Sequence, residues 1–263
     1  MNIAESKRSL DRFAGASIVI TRPVGSGATL ARTVGVGGGR PLLLPGLALR
    51  AAPTETARDA LDALSRKHIA IFTSPAAARF AFQVCPSLRV ARGSAFALGA
   101  GTARALARHG IEATIPTERS DSEGLLALRG LNDVRSRRIA LIGAPGGRDL
   151  IAPTLRRRGA IVEIVQVYRR AAPRLTRRHF DALDAAPDPL ITLVSSGEAL
   201  THIVSLVPAR LIERMRGQII VVSSARLVAA AREHAFEEIV LARSAAPRDL
   251  LAAAESALAH HRL

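Results

Sequence analysis

Short apolar runs alternate along the chain with amphipathic stretches, and glycine, proline or hydroxyl residues stand at most junctions. The clearest unit is Arg138–Arg170. Ile139–Ile142 is an apolar run of strand length, followed by a tight turn at Gly143, Pro145, Gly146 and Gly147. Leu150, Ile151 and Leu155 recur at helical spacing, Gly159 stops the helix, and Ile161–Val167 is β-branched and mostly apolar. The unit ends in the chain's only tyrosine, Tyr168, followed by Arg169 and Arg170. A turn of this kind, at a strand's carboxyl end, is where open α/β sheets bind ligands.

The same alternation runs through the rest of the chain. Residues 1–16 read as a frayed leader. Ser17–Ile20 is a strand, followed by a turn at Thr21–Gly27, a helix burying Leu30 and Val34, a stop at Gly37-Gly38-Gly39 and a short strand at Pro41–Leu44. A helix is expected at Thr54–Leu64, strands at Ile69–Phe72 and Ser94–Leu98, and helices after Thr73-Ser74-Pro75 and at Ala103–His109. Ala113–Ile115 is strand-like, and Ser122–Leu128 is a short helix with a polar start at Ser122-Glu123. Beyond the central unit come a helix near Arg177–Leu183, strands at Leu190–Val194, Gln218–Val222 and Glu238–Leu241, and helices at Ala225–His234 and Pro247–Ala259. Strands and helices that alternate in this way predict an α/β fold with parallel sheets.

The pattern also repeats. An offset of 121 residues places Ile18 on Ile139, Leu30 on Ile151, Val34 on Leu155 and Gly38 on Gly159. An offset of 122 places Thr73-Ser74 on Ser195-Ser196, and one of 125 places Gly110-Ile111 on Ala235-Phe236 and Leu125-Leu126 on Leu250-Leu251. Two similar α/β lobes of four or five strands each follow.

Six strand-to-helix turns carry small, hydroxyl or glycine residues: Thr21–Gly27, Thr73–Pro75, Gly99–Thr102, Gly143–Arg148, Ser195–Gly197 and Ser223–Ala225. Each offers free backbone N–H groups and the positive end of a helix dipole. One such turn is an ordinary N-cap; six predict a cleft for a large anionic ligand. Nucleotide signatures are incomplete: Gly143-x-x-Gly146-Gly147 is not GxGxxG, Gly99-x-Gly101 lacks its third glycine, and no GxxxxGK[ST] occurs.

Composition narrows the choice. The net charge of +15 suits a polyanionic partner. Only Lys7 and Lys67 are lysines, the arginines are spread along the chain, and no basic–aromatic pattern for base stacking is present, which argues against nucleic acid. No apolar run reaches the roughly 20 residues of a membrane span, and the start of the chain lacks the apolar centre of a secretory signal. One cysteine, Cys85, cannot form an intrachain disulfide, so the cytoplasm is expected. The seven histidines form no HExxH and no CxxC exists, so no metal is expected. Cys85 reads as a small core residue, and no GxSxG elbow accompanies any serine. An enzyme with this sequence is expected to work without metal, cofactor or covalent nucleophile.

Taken together, VITRP (19–23), IFTSPAA (71–77), ALGAGTARAL (97–106), SEGLL (122–126), GGRDLIAPTLRRRGAIVEIVQVYRR (146–170), VSS (194–196) and VVSSARLVAAAR (221–232) resemble uroporphyrinogen-III synthase. The likeness spans roughly residues 17–258. It implies two flavodoxin-like lobes, 1–44 with 172–263 and 45–171, joined by strands near Leu44–Arg50 and Gln166–Ala171. It also implies closure of hydroxymethylbilane, a linear tetrapyrrole with eight carboxylates, to uroporphyrinogen III with loss of water and inversion of ring D. A cofactor-independent cytoplasmic monomer is expected. Tyr168 is implied as the proton donor to the departing hydroxyl. Thr73, Ser74, Thr102, Ser195, Ser196, Ser223 and Ser224, the turn glycines Gly99 and Gly143, and Arg22, Arg148 and Arg226 are implied to bind carboxylates. The turn at Ser223 has no counterpart of Thr102. The other reading is a non-catalytic ligand-binding or regulatory protein of the same fold.

Overall fold

Parallel pairing governs both main sheets of the computed structural model, which describes residues 11–52, 55–64, 68–119, 121–146 and 150–261. Residues 1–10, the Thr54 start of one expected helix, and Gly147 with Arg148 lie outside that set. In chain order the elements are β1 (Ser17–Ile20), α1 (Ala28–Val36), β2 (Arg40–Leu43), β3 (Ala48–Ala51), α2 (Glu55–Asp62), β4 (Ile69–Phe72) and α3 (Pro75–Val84). Then follow β5 (Ala95–Ala97), α4 (Ala100–Ala107), α5 (Ser122–Leu126), β6 (Arg138–Gly143), α6 (Ile151–Arg157), β7 (Ile161–Gln166) and β8 (Tyr168–Ala171). The remainder is α7 (Arg177–Asp184), β9 (Leu190–Val194), α8 (Gly197–Leu206), α9 (Ala209–Arg216), β10 (Ile219–Val222), α10 (Ala225–Glu233), β11 (Glu238–Leu241) and α11 (Pro247–His261).

The chain divides into two compact units, Met1–Ala48 with Ala171–Leu263, and Leu49–Arg170. The first unit holds a five-stranded sheet in the order β11-β10-β9-β1-β2. Ser17 pairs with Arg40 on one side and Leu190 on the other, and Ile219 pairs with Ile191 and Glu238, all in parallel. The second unit holds β5-β4-β6-β7, also parallel, with Thr114 bridging Phe96 beyond β5. Both sheets follow one flavodoxin-like layout, β2-β1-β9-β10-β11 in one and β7-β6-β4-β5-Thr114 in the other. In the second unit the chain enters at the middle strand, so the pair that comes first elsewhere, β6 and β7, is made last. β3 and β8 form a separate two-stranded sheet, and Ala52 N–H donates to the Val167 carbonyl at 3.1 Å beside it.

Strands buried on both faces read as continuous apolar runs, and a two-residue period sorts them. In the first unit Ile18, Ile20, Ile191, Leu193, Ile219 and Val221 pack with Leu30 and Val34 of α1 and Leu250 and Leu258 of α11. Val19, Leu190, Val194, Ile220 and Val222 pack with Leu200, Leu211 and Leu227 of α8, α9 and α10. In the second unit Ile69, Ile71, Ile139 and Leu141 meet Leu125 and Leu155, while Phe72, Ile142 and Val165 meet Leu61, Phe80 and Leu106. Each such side chain contributes roughly 1.5–3 kcal/mol by leaving water, which compensates for the scarcity of aromatics.

Several expectations are corrected. The tail of the supposed leader is packed: Phe13 is fully buried and its N–H donates to the Gly37 carbonyl at 2.7 Å. The glycines at 37 and 39 therefore do more than stop a helix, because a Cβ at either would stand within 2.7 Å of Phe13. The cap of α5 is Asp121, whose carboxylate accepts the Gly124 N–H at 2.9 Å, and Ser122 is buried instead. Two helices, α8 and α9, fill the stretch between β9 and β10, where the sequence pattern shows no separate elements. The last helix runs past its expected end at Ala259 to His261, and His260 Nδ1 lies 2.7 Å from the Ser256 carbonyl.

Among the described residues two buried side-chain polar atoms, Arg12 Nε and Thr192 Oγ1, lack a hydrogen-bond partner. Thr192, 1% exposed in the middle of β9, has a hydroxyl with no hydrogen-bond partner among the described residues. Thr192→Val is expected to raise the unfolding free energy by about 1–2 kcal/mol in urea titration. Phe13→Ala is expected to lower it by about 3–5 kcal/mol in the same measurement; no loss would mean that residues 11–16 do not belong to the core.

Candidate functional site

Parallel strands bring all their carboxyl ends to one edge of a sheet, and the helices that follow begin there with unpaired N–H groups. Each unit has such an edge, and many of the sequence-predicted residues that the structure describes lie at or next to one.

In the second unit β4 runs into Thr73 and Ser74. The Thr73 N–H and hydroxyl both donate to the Ile142 carbonyl of β6, each at 3.1 Å. In this arrangement Thr73 spends its hydroxyl hydrogen on the backbone and keeps acceptor capacity for a ligand. Gly143, next in β6, is what allows this, since a Cβ there would collide with Thr73 Oγ1. Ser74 has extended backbone and caps α3, its Oγ accepting the Ala77 N–H at 3.0 Å. The same Oγ lies 3.0 Å from the Tyr168 hydroxyl oxygen. Tyr168 opens β8 with only 8% of its surface exposed, and its ring stacks on Phe80 of α3 at 5.3 Å between centroids and 17° between planes. One helix thus holds the phenol at both ring and hydroxyl.

Gly99 caps α4 without a side chain. Thr102, expected in the turn, lies inside the first turn of α4 and is buried, because the helix starts at Ala100. Arg148 falls outside the described residues. Arg170 was not predicted as part of the site, yet its guanidinium donates to the carbonyls of Pro145 at 2.8 Å and Gly146 at 3.1 Å, fastening the turn after β6. A pocket of about 260 Å³ next to this turn is lined by Thr73, Gly143, Pro145, Arg156 and Gln166 among others. No local pattern marks Arg170 or Arg156, whose contacts depend on strand order.

In the first unit Thr21, at the end of β1, donates its hydroxyl to the Leu193 carbonyl at 2.7 Å. Arg22 donates to the Ala245 carbonyl. Burial lowers the Arg22 pKa, but a guanidinium keeps its proton, with further donors beyond the one used here. Ser195 and Ser196 end β9, and Ser196 caps α8 by accepting the Ala199 N–H at 3.4 Å. Ser223 and Ser224 end β10, and Ser224 caps α10 by accepting the Leu227 N–H at 3.4 Å. The offset of 125 sets Ser224 opposite Gly99, so the hydroxyl missing at the counterpart of Thr102 is found at the cap. Arg226, in the first turn of α10, is exposed. A serine that accepts a helix N–H still has its own hydrogen to donate.

The loop that receives Arg22 is itself fixed. Asp249 accepts from Arg243 at 2.8 Å and from the Ser244 hydroxyl at 2.5 Å, and Ser244 Oγ accepts the Ala246 N–H at 3.1 Å. These bonds, Arg243 first and Ser244 second, hold the Asp249 carboxyl below the ordinary range. Cys85 is buried with its thiol directed at Asp62 at 3.0 Å, and burial and that carboxylate push the thiol up, so it is not poised as a nucleophile. Among the described residues no three His, Cys, Asp or Glu side chains are grouped to hold a metal ion, and no helix is long and apolar enough to cross a membrane.

Comparison with known proteins is consistent across three kinds of likeness. The sequence profile of the family described as uroporphyrinogen-III synthase HemD matches residues 28–252. A uroporphyrinogen-III synthase of Salmonella typhimurium strain LT2 is 34% identical over 250 residues, covering 87% of this chain and 96% of the relative. A crystal structure of a mutant uroporphyrinogen III synthase from the extremely thermophilic bacterium Thermus thermophilus superposes with a TM-score of 0.55 at 18% identity, covering 93% of this chain and 99% of the other. The uroporphyrinogen-III synthetase of Helicobacter pylori 26695 gives 0.58 at 13% identity, covering 92% and 99%. At these identities the structural matches establish the fold.

A carboxylate with a lowered folded pKa contributes stability that is fully present above its unfolded pKa and is lost as pH falls through the folded value. Asp249→Asn is therefore expected to lower the urea midpoint at neutral pH. The gap to the parent should begin to narrow as pH drops below about 4, where the unfolded carboxyl takes up its proton, and go on narrowing until the folded carboxyl, held lower, is protonated as well. A gap that stays constant between about pH 7 and pH 3 would rule out the Arg243–Asp249–Ser244 clamp.

Proposed function

This chain belongs to the uroporphyrinogen-III synthase HemD family, and on that premise we propose that it closes hydroxymethylbilane to uroporphyrinogen III. The reaction loses water and inverts ring D, which makes the protein a cyclising hydro-lyase of tetrapyrrole and haem synthesis. The observation that carries the reading is the family match itself, which spans residues 28–252 and so includes every strand-end turn named above except Thr21–Gly27. Our reading includes a monomer acting in the cytoplasm on this small polycarboxylate and on neither nucleic acid nor membrane.

The chemistry follows from the substrate. The C–O bond of the hydroxymethyl group breaks with its electron pair on oxygen, a pyrrole nitrogen supplies the compensating pair, and Tyr168 provides the proton that completes the departing water. The resulting azafulvene is attacked by the substituted carbon of ring D to give a spiro-pyrrolenine, which fragments and recloses with the ring inverted. A ring proton is released at the end and restores the phenol.

Holding one folded conformer is the larger task, because closure without an enzyme gives the uninverted isomer. A hundredfold preference for the inverted product needs only about 2.7 kcal/mol of differential stabilisation. Two or three well-placed charge-assisted hydrogen bonds are enough for that. We assign the carboxylate contacts to the hydroxyl hydrogens of Ser195, Ser196, Ser223 and Ser224, to Thr102, to the turn backbone at Gly99 and Gly143, and to Arg22, Arg148 and Arg226. Thr73 positions the turn rather than donating.

The test is a coupled assay that supplies freshly made hydroxymethylbilane and resolves the I and III isomers. The III isomer is expected with the parent protein; the I isomer alone would overturn the synthase reading. Tyr168→Phe is expected to lower kcat by about 10²- to 10⁴-fold, the usual contribution of a positioned acid, with a much smaller change in KM.

A further inference from the structure

We propose that Ser74 is the positioning residue for Tyr168, accepting from the phenol at rest and donating to its oxygen once the phenol's proton has left. The inference rests on the synthase reading, with Tyr168 as the acid, and adds to it a partner that serves the acid rather than the substrate.

The geometry limits what Ser74 can do. A serine oxygen has two lone pairs and one hydrogen. One lone pair is taken by the Ala77 N–H at 3.0 Å, which fixes the side chain at the start of α3. The remaining lone pair and the hydrogen are available to the Tyr168 hydroxyl, also 3.0 Å away. Tyr168 is constrained in turn, since its ring is stacked on Phe80 of the same helix. Ser74 and Phe80 thus grip the phenol from two points of one rigid element.

The switch needs no net transfer through serine. When the Tyr168 O–H bond breaks, its electron pair stays on Oη and its proton joins the leaving hydroxyl as water. Ser74 rotates its own hydrogen about the Cβ–Oγ bond onto Oη, keeping the Ala77 bond. The first turn of α3, a helix of 10 residues, adds its positive end to the same place. When the substrate later releases a ring proton, Oη takes it back and Ser74 returns to accepting.

The internal repeat isolates the feature. Ser196 and Ser224 cap their helices as Ser74 does. At the offset of 121, however, the counterpart of Tyr168 is Leu47, which has no hydroxyl to offer. Capping is therefore common to three serines, and the bond to a phenol belongs to Ser74.

Substitutions can separate the cap from the hydroxyl. Glycine and aspartate are both good N-caps, but glycine has no side-chain group and aspartate no hydrogen to donate. Ser74→Gly is expected to leave the melting temperature nearly unchanged and to lower kcat about 10- to 100-fold, with KM for hydroxymethylbilane within about twofold. Ser74→Asp should be at least as slow, and Ser74→Thr should recover kcat to within a few-fold. In a Tyr168→Phe background, Ser74→Gly should cost nothing further, because the two residues act as one unit. Normal kcat in both the Gly and Asp variants would reduce Ser74 to a cap and overturn the proposal. So would an equal loss in the Tyr168→Phe background. A parent protein that yields the I isomer alone would instead fail at the synthase reading, and this inference would fall with it.

Discussion

Parallel strand pairing is the constraint on which the rest depends. It forces each connection to cross over through a helix and collects the carboxyl ends of a sheet along one edge. Every helix that starts at that edge leaves N–H groups to be satisfied, and Ser74, Ser196 and Ser224 each accept one. Those serines are present first because helices need caps, each worth about 1 kcal/mol. What capping leaves over, the remaining amides and the hydroxyl hydrogens, is what the proposed carboxylate contacts would use.

The sequence pattern is informative where burial is two-sided. Ile69–Phe72 and Leu190–Val194, buried along their whole length, are legible to the residue, being apolar or β-branched runs between turn signals. The repeat is legible because a shared layout imposes the same spacing of core positions on both sheets. Helix starts are less so: α4 begins at Ala100, since a bare glycine can cap as well as end a turn. α8 and α9 escape the pattern because Pro208 splits one long amphipathic stretch into two short helices. Phe13 looks like part of a polar tail, for nothing local shows that glycines further on make room for its ring.

The candidate site is legible in its members and not in its pairings. Serines and glycines after strands announce a ligand edge, so most of the residues can be named from position alone. That Ser74 meets Tyr168, 94 residues away, depends on the order β4-β6-β7, which no window of sequence contains. Thr73 illustrates the same limit: a hydroxyl counted as a donor to ligand is already bonded to the strand beside it. Gly143 gains its meaning only from that neighbour, since its missing Cβ is the space Thr73 occupies.

The strand order of the first unit also has a consequence in time. Thr21 and Leu193, joined by a buried hydrogen bond, are 172 residues apart. At synthesis rates of roughly 5–20 residues per second, β1 and β2 leave the ribosome about 7–30 s before β9 exists. Two strands alone are at best marginally stable, whereas the whole of Leu49–Arg170 is completed in the interval. The first strands made are thus among the last to be secured, and the apolar run Ser17–Ile20 is the segment that a nascent chain has most need to keep from aggregating.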